Sequence, residues 1–374
     1  MSLLCKKGIK MHFLSVFSVF IVGFLASVAS TASADDLKFL NLPEGFEIDI
    51  WAEVPGARTL VISPDGQQLY VGTRSSRVYR VDIDKRTQNA VSVSTFKSGL
   101  KVANGIDLDP EGQLVIAEQH RIIRINNQGD IQELVPAGLL PNSRHHGWRY
   151  AKFGPDGAFY VAVGAPCNIC KIDGVEGTIL RFDPKTWQHT VHASGIRNSV
   201  GFDWNADGIM FFTDNGGDNL GDNIPPDELN MLTKPGLHYG YPYFYGKGGR
   251  YPQFEHAKSI PKPTHTLVDF DAHVAALGID FYGGGQFPDK YQNTAFVAQH
   301  GSWNRTDPIG YRVMAVQNLG VMGEPEKSVF IDGWLGQNGE VRGRPVDLEE
   351  LPDGSLLISD DYRDVIYRVR YTGG

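Results

Sequence analysis

The chain of 374 residues has few cysteines, an excess of acidic over basic residues and no long apolar run beyond its first segment. It carries 35 Lys and Arg against 43 Asp and Glu, which gives a formal net charge of −8. An acidic chain without a basic stripe is a poor candidate for binding nucleic acid or anionic lipid. No stretch after Leu25 reaches the roughly 20 apolar residues that a membrane span requires. We therefore expect no nucleic-acid partner and no stable membrane insertion of the mature chain.

The first segment has the three parts of a secretory signal peptide. Its positive residues are Lys6, Lys7 and Lys10. An apolar run from Phe13 to Leu25 follows, and Ala32-Ser33-Ala34 supplies the small residues of a cleavage site. A membrane anchor is the alternative, but the run is short for a bilayer. The pattern predicts that residues 1–34 are removed, that the mature protein begins at Asp35 in the periplasm or medium, and that its net charge is −8 − 3 = −11.

A repeated hairpin pattern organises the remaining chain, residues 35–374. Each copy has a short apolar strand, a turn and a second apolar strand, as in LVISPDGQQLYVGT, IDLDPEGQLVIAEQ, AKFGPDGAFYVAVG, FDWNADGIMFFTDN, IDFYGGGQFPDKYQNTAFVAQ and LEELPDGSLLISDD. The first copies recur at about 45–50 residues, the length of a four-stranded propeller blade. Later intervals are longer, with the excess at about 219–270. The repeat predicts an all-β, six-bladed β-propeller with one inter-blade insertion, and its length is hard to fit to a β-sandwich.

Closure of the ring is the next expectation. Each sheet has two apolar faces that it can bury only against its neighbours, so the blades must form a closed circle. The segment FEIDIWAEV near Asp35 is placed to complete the last blade beside VIYRVRY at the end of the chain. Little helical pattern is present outside the predicted signal peptide.

The repeat also gathers polar residues on one rim, because the entry of a hairpin's first strand and the exit of its second lie at the same end. Those before a first strand are Asn104, His146, Arg197, Asn198, Arg342 and Arg344, and those after a second strand are Asn168, Asn215, Gly216, Gly217, His300, Asp360 and Asp361. Arginines that converge on one mouth form an anion site, and a histidine beside them is a candidate general base. Taken singly, each arginine is more often a surface ion-pair partner, and His145-His146 more often a solvated loop pair.

Five segments then carry a resemblance to a known family: RHHGWRYAKFGPDG, SGIRNSVGFDWNADG, PPDELNML with HYGYP, AFVAQHGSWNR and VRGRPVDLEELPDG. Together they resemble the soluble pyrroloquinoline quinone (PQQ) dependent sugar dehydrogenases, the glucose/sorbosone dehydrogenase family, over nearly all of the mature chain. The resemblance implies a six-bladed propeller that binds PQQ and Ca²⁺ and oxidises an aldose or related sugar. Since no haem motif is present, it also implies an external electron acceptor.

The resemblance further implies a role for each matching residue. His146 corresponds to the catalytic base, and Arg197 and Asn198 to the pair that contacts the cofactor near its reactive carbonyl. The remaining assignments are the Ca²⁺ carbonyls of Gly216 and Gly217, and the cofactor carboxylate partners Arg342 and Arg344. The chain departs from the family at three positions: His145 stands where glucose-oxidising members have an acid, Ala103 beside Asn104 where they have a glutamine, and His300 or Arg305 replaces a lysine of the fifth blade. These departures favour a sorbosone-type substrate over glucose.

Cys167 and Cys170 remain to be explained, since Cys5 leaves with the signal peptide. Lys171 follows Cys170, where haem attachment would need histidine, and no βαβ context supports a thioredoxin-like motif. A local disulfide in an oxidising compartment is favoured over a zinc site. Two other functions stay open on the sequence: a calcium-dependent propeller lactonase, whose metal would need converging carboxylate and amide groups, and a non-catalytic binding propeller.

Overall fold

The computed structural model describes residues 34–126, 128–320 and 324–373, and almost all of their regular structure is β-strand. Three short 3-10 helices, Ala34–Leu37, Pro252–Phe254 and Asp289–Tyr291, are the only helices in these ranges. None of the helices found there is long and apolar enough to cross a membrane. Residues 1–33 of the predicted signal peptide lie outside the described residues.

Apart from one small two-stranded hairpin, the strands group into six sheets, each a blade, and the strands are numbered in chain order. Those of the first half are β1 (Phe46–Glu53), β2 (Leu60–Ile62), β3 (Gln68–Val71), β4 (Val78–Ile83), β5 (Ala90–Lys97), β6 (Gly105–Leu108), β7 (Leu114–Ala117), β8 (Ile122–Ile125), β9 (Ile131–Val135), β10 (Tyr150–Phe153), β11 (Phe159–Val163), β12 (Thr178–Phe182) and β13 (His189–Ser194). Those of the second half are β14 (Phe202–Trp204), β15 (Met210–Asp214), β16 (Pro226–Leu232), β17 (Leu237–His238), β18 (Phe244–Tyr245), β19 (Gly249–Arg250), β20 (Val268–Ala272), β21 (Ala276–Phe281), β22 (Ala295–Gln299), β23 (Arg312–Gln317), β24 (Glu326–Ile331), β25 (Pro345–Glu350), β26 (Leu356–Asp360) and β27 (Val365–Tyr371).

The blades form a closed ring, as the repeat predicts. Blades one to five are β2–β5, β6–β9, β10–β13, β14–β16 with β20, and β21–β24, and the sixth is β25–β27 with β1. The first strands of neighbouring blades contact one another in the cyclic order β2, β6, β10, β14, β21, β25 and back to β2. β1 pairs antiparallel with β27, with Phe46 opposite Tyr371. The predicted six-bladed, all-β fold and the closure of its last blade by FEIDIWAEV are both confirmed.

Glycine sets the hairpin turns that the repeat identified. Five of the six turns place a glycine at a positive φ between 67° and 80°, a conformation that costs glycine little and most residues more. These glycines are Gly66, Gly112, Gly157, Gly208 and Gly354. The fifth blade differs because a longer loop with a 3-10 helix at Asp289–Tyr291 joins β21 to β22.

Hydrophobic clusters between neighbouring blades hold the ring together. Between the third and fourth blades, for example, Tyr160 and Phe212 belong to one buried cluster. Between the first and last blades, Leu69 and Ile366 belong to another. Because every blade buries both faces in this way, removing water from apolar side chains stabilises the ring as a whole.

The chain departs from the repeat in the fourth blade, between β16 and β20. Here β17 pairs in parallel with the edge strand β13 of the third blade, and β18 and β19 form a small hairpin. Glu228 on β16 accepts a hydrogen bond of 2.6 Å from the backbone N of Gly246, which ties this hairpin to its blade. The predicted insertion at about 219–270 therefore includes β16 and part of β20, and the added chain itself lies between them.

Candidate active site

A cavity of about 440 Å³ lies at one end of the ring, a volume within the range of roughly 300–1,000 Å³ that is usual for small-molecule sites. Most of its walls come from loops that precede the first strand or follow the second strand of a blade, which is the rim that the sequence indicated, and Asp227 on β16 and Leu277 on β21 complete them. The lining residues are Arg74, Arg144, His145, His146, Trp148, Arg197, Asn198, Asn215, Gly216, Asp218, Asp227, His273, Ala275, Leu277, His300, Gly301, Trp303, Asn304 and Arg344.

His146 lies in the loop before β10 and is 7% exposed. Its φ of 46° is in the left-handed region, which is uncommon for a residue with a side chain. Nδ1 of the ring lies 2.9 Å from the carbonyl O of Ala165. Because a carbonyl can only accept, Nδ1 carries the hydrogen, and the neutral ring has its lone pair on Nε2.

The surroundings of His146 keep this ring neutral. Burial, followed by the positive charge of Arg197, lowers the pKa of His146 from 6.5 to about 2. Within the described part of the chain, Nε2 makes no hydrogen bond. His146 therefore has a proton-accepting nitrogen available at the cavity at neutral pH.

The Arg197 guanidinium is fixed by four hydrogen bonds. Nε donates to the carbonyl O of Asn168 (2.9 Å), and Nη1 to that of Asn215 (3.1 Å). Nη2 donates to Oδ1 of Asn168 (2.9 Å) and to the carboxylate of Asp218 (2.7 Å). Arginine has five N–H donors, so one on Nη1 remains for a ligand. Arg197 is thus a positioned cation in the wall beside His146.

The backbone at Arg197 and Asn198 is held by a buried carboxylate at the end of β15. Asp214 accepts hydrogen bonds from the backbone N of Arg197 (2.9 Å) and of Asn198 (2.6 Å). Burial raises the pKa of Asp214 above its ordinary value. Both loop residues line the cavity, so the fourth blade fixes two of its polar groups through this one side chain.

Arg344 and His300 form a second polar group on the opposite blades. Nη1 of Arg344 lies 3.2 Å from Nδ1 of His300. A guanidinium can only donate, so Nδ1 accepts and Nε2 of His300 donates to Asp361, 2.7 Å away. Burial lowers the pKa of His300 to about 4, although Asp361 opposes this shift. Nη2 of Arg344 also donates to the hydroxyl of Tyr311 (3.1 Å).

Arg74 and Trp148 were not identified from the sequence. The guanidinium of Arg74 lies over the Trp148 ring, 4.2 Å from its centroid, and makes no hydrogen bond to the described residues. Nε1 of Trp148 is buried and also has no hydrogen-bond partner there. Arg74 follows β3 in the segment YVGTR, the same blade position as Asn168 and Asn215, so the repeat contained the signal that would have found it.

Four residues predicted for the site lie elsewhere. Asn104 is buried between Arg58 and the carbonyl O of Arg149. Arg305 donates to the carbonyl O of Asp222 and anchors that loop. Arg342 bonds to Glu340 and lies over the ring of Phe39. Gly217 adjoins the lining residue Gly216 but does not line the cavity itself, and its backbone N donates to the hydroxyl of Tyr251.

Cys167 and Cys170 form a disulfide, the arrangement that the sequence favoured. It closes a short loop in the wall of the site, next to Tyr241. In the ranges that the structure describes, no cluster of three or more His, Cys, Asp or Glu side chains is arranged to hold a metal ion.

Comparison with known proteins identifies relatives across the length of the chain. The model of the TrAA12-like family matches residues 178–372. An uncharacterized protein of Borreliella burgdorferi is 33% identical, over 96% of this chain and 97% of that protein. The PQQ domain of pyranose dehydrogenase from Coprinopsis cinerea, in its holo form, superposes with a TM-score of 0.73 at 20% identity, over 88% of this chain and 97% of the other. A calcium structure of the carbohydrate-active family AA12 from Trichoderma reesei gives 0.72 at 19% identity, over 89% and 97%. The two superpositions establish a shared fold.

Proposed function

The chain belongs to the TrAA12-like family, and from this membership and the cavity we propose that it is a PQQ- and Ca²⁺-dependent sugar dehydrogenase. The observation that carries the proposal is one cavity lined by four arginines and by a neutral histidine whose Nε2 makes no hydrogen bond to the described residues. The histidine is His146, and the arginines are Arg74, Arg144, Arg197 and Arg344. The likeness to the PQQ domain of a pyranose dehydrogenase supports the same assignment.

The polar groups of the cavity fit an anionic cofactor. PQQ is a planar tricarboxylate, and carboxylates are matched by guanidinium groups. Arg74 has its donors unused by the described residues, Arg197 has one, and Nε1 of Trp148 is a buried donor without a partner there. We assign Arg74, Arg344 and Arg197 to the carboxylates and carbonyls of PQQ, with Asn198 beside them. When bound, PQQ supplies the two-electron acceptor that the protein's own side chains lack.

The oxygen atoms beside Gly216 fit a hard cation. Asn215, Gly216 and Asp218 line the cavity together, and Ca²⁺ takes carbonyl, amide and carboxylate oxygens as ligands. The likeness to a calcium structure of family AA12 supports Ca²⁺ as the cation. We assign the backbone carbonyl of Gly216 and the side-chain oxygen of Asn215 as the ligands on this chain, because the two carboxylate oxygens of Asp218 already bond to Arg197 and Asn304.

His146 would serve as the general base. A sugar hydroxyl placed at Nε2 would give its proton to the ring, while the hydride from the same carbon would go to the two-electron acceptor that bound PQQ would supply. Nδ1 remains bonded to the carbonyl O of Ala165, which keeps the accepting tautomer in place. Arg197, fixed by Asn168 and Asp218, presents a cation where negative charge develops on oxygen.

For the substrate we propose an aldose or a related, sorbosone-type sugar. His145 occupies the position before the base and lines the cavity, where glucose-oxidising relatives have an acid. A calcium-dependent lactonase is less well supported, because this lining has more arginines than carboxylates, and an uncharged lactone would give those cations no anionic partner.

The test is reconstitution of the purified protein with PQQ in the presence and absence of Ca²⁺. We expect a Ca²⁺-dependent change in the PQQ absorption spectrum, followed by sugar-dependent reduction of an artificial electron-accepting dye. Aldoses and 2-keto aldehydes are compared in the same assay, with EGTA-treated protein as the control. No uptake of PQQ in the presence of Ca²⁺ would exclude the proposal.

We also propose export of the protein with cleavage after Ala34. The positive, apolar and small-residue segments of the sequence support it. N-terminal sequencing of protein from the periplasm or medium is expected to begin at or near Asp35, and a mature protein that retains residues 1–33 would contradict it.

A further inference from the structure

Arg197 owes its position to one neighbour more than to any other. Two of the four hydrogen bonds made by its guanidinium go to Asn168, one to the side chain and one to the carbonyl O. The other two go to Asn215 and Asp218. Only Asp218 contributes a charge, so the direction of the guanidinium plane is set chiefly by Asn168.

Asn168 also fixes Asp218, the acidic partner of Arg197. Its Oδ1 accepts a hydrogen bond of 2.8 Å from the backbone N of Asp218, and its Nδ2 donates to the carbonyl O of the same residue (2.9 Å). The amide of Asn168 therefore joins the arginine and the carboxylate of the ion pair in a single arrangement. A side chain at position 168 without the accepting oxygen or without the donating NH2 would lose some of these hydrogen bonds.

The loop that contains Asn168 is itself held at both ends. The Cys167–Cys170 disulfide closes it, and a covalent link of this kind restricts the conformations open to the residues between the cysteines. The Tyr241 hydroxyl, on the inserted segment after β16, accepts from the backbone N of Cys170 (3.1 Å) and donates to the carbonyl O of Asn168 (3.2 Å). The loop lies between β11 and β12, so it has no strand pairing of its own. Its conformation therefore depends on contacts such as these.

We propose that Asn168, held by the Cys167–Cys170 disulfide, is a positioning residue that sets the place of the Arg197 cation relative to His146. The expected effect on the reaction rests on the proposed function. The contacts of Asn168 with Arg197 and Asp218 do not, because they involve no cofactor or substrate. The groups that bear on His146 electrostatically are Arg197, His145 and Arg149. Release of Arg197 would remove a positive charge from the base and from the developing negative charge on the substrate.

The first experiment uses the cofactor-free protein. The ring pKa of His146 is followed by NMR of the histidine-labelled full chain, with the resonance assigned by its loss in His146→Gln. We expect Asn168→Ala to raise this pKa, because Nη2 of Arg197 and the backbone of Asp218 both lose their side-chain partner, so the Arg197 charge that lowers the pKa is held less firmly. The double variant Cys167→Ser/Cys170→Ser is expected to shift it in the same direction, since the loop loses its covalent closure.

A matched control makes the same chemical change outside the cavity. Asn223 accepts a hydrogen bond of 3.2 Å from Arg305, so Asn223→Ala also removes an Asn–Arg contact, but from an arginine that does not line the site. We expect this variant to leave the pKa of His146 unchanged. Asn168→Gln keeps both the accepting oxygen and the donating NH2 of the amide without adding a charge, and serves as the conservative variant.

The second experiment uses protein loaded with PQQ and Ca²⁺. Asn168→Ala is expected to lower kcat for sugar oxidation by about 10-fold or more at a nearly unchanged KM, as for a contact that acts in the transition state. Asn168→Gln is expected to recover most of this loss. Wild-type values of both the His146 pKa and kcat in Asn168→Ala would overturn the proposal. A shift of the His146 pKa in Asn168→Ala but not in Cys167→Ser/Cys170→Ser would overturn the role of the disulfide. Failure of the wild-type protein to take up PQQ would overturn the proposed function while the NMR titration still decides the positioning.

Discussion

At the scale of residues, two adjacent histidines in the cavity have different surroundings. His146 is buried and bonded through Nδ1 to Ala165, whereas His145 is exposed at the mouth. We expect His146→Ala to fold and to bind PQQ and Ca²⁺, because the arginines and the Gly216 region are untouched. Its sugar oxidation should fall by roughly 10²–10⁴-fold, mostly in kcat, as for the loss of a positioned proton acceptor.

Steady-state kinetics of the reconstituted variant measure this effect, with His145→Ala as the control. His145→Ala should lose much less activity, since the His145 ring is exposed, whereas His146 is buried with its accepting tautomer fixed by Ala165. Equal losses in the two variants would contradict the assignment of His146 as the base, even with the family correct.

The arginines allow a second comparison. Arg74 and Arg344 line the cavity, whereas Arg342 bonds to Glu340 outside it. A charge-assisted hydrogen bond contributes about 1.5–3 kcal/mol, so Arg74→Ala and Arg344→Ala should each raise the Kd for PQQ by roughly 10- to 150-fold. Arg342→Ala should leave it nearly unchanged. Spectroscopic titration with PQQ measures all three, and a loss of affinity confined to Arg342→Ala would reverse the assignment.

The same arginines show what the sequence could and could not predict at this scale. His146, Arg197 and Arg344 share a blade position, and the repeat alone was enough to bring them to one rim. Arg342 stands two residues from Arg344, but the chain folds back before it, with a bridge between Leu335 and Val341 and the backbone N of Arg342 bonded to the carbonyl O of Trp334. This local fold depends on packing against a distant segment of the chain, which no repeat pattern contains.

At the scale of elements, β1 is the strand that closes the ring. It is separated from β27 by nearly the whole chain, yet the two pair from Phe46 opposite Tyr371 to Glu53 opposite Val365. The alternating apolar pattern of FEIDIWAEV was enough to predict this pairing. The parallel contact of β17 with β13 could not be predicted, because β17 has only two residues and no pattern of its own.

Removal of β1 is therefore expected to open the propeller. A chain that begins at Leu60 would expose the edge of β27 and the apolar faces of the last blade, and such an edge favours aggregation. We expect this variant to elute as aggregate in size-exclusion chromatography, with a broad, early thermal transition by circular dichroism. A chain that begins at Asp35 but ends at Thr372, beyond β27, is the control and should behave as the full mature chain. A monomeric, cooperatively melting protein that starts at Leu60 would show that the ring closes without β1.

At the scale of the whole molecule, charged side chains from the first strands of successive blades meet near the axis. Lys152 forms an ion pair of 2.8 Å with Asp203 of the next blade. Asp107 accepts a hydrogen bond from the backbone N of Phe153 (2.6 Å), and Asp347 from that of Leu60 (3.1 Å), so these acids link blades through the backbone. The sequence predicted the ring but not this arrangement, because each acid taken alone reads as an ordinary polar position in an alternating strand.

Buried carboxyl groups, on the first strands and elsewhere, make the stability of the protein depend on pH. Burial raises the pKa of Asp347 to about 7, and it also raises the pKa values of Asp214 and Glu228. In the unfolded chain such groups titrate near 4, so between these values the folded state binds more protons, and stability falls as pH rises. His146 and His300 act in the opposite direction, because burial lowers their folded pKa values below 6.5, but their effect lies mostly in more acidic solution and fades by about pH 7.5.

Between pH 6.5 and 8.5 the buried carboxyl groups therefore decide the sign, and we expect the Tm of the cofactor-free protein to fall across this range. Asp347 alone contributes a loss of about 1 kcal/mol in the free energy of unfolding, from the proton that it binds in the folded state and not in the unfolded state. Asp347→Asn keeps an oxygen that can accept from the backbone N of Leu60 but has no proton to lose, so its Tm should fall less steeply with pH than that of the wild-type protein. Differential scanning calorimetry at four or more pH values measures both slopes. A Tm that rises from pH 6.5 to 8.5, or equal slopes in the two proteins, would mean that the folded state stabilises the charged form of these carboxyl groups and does not raise their pKa values.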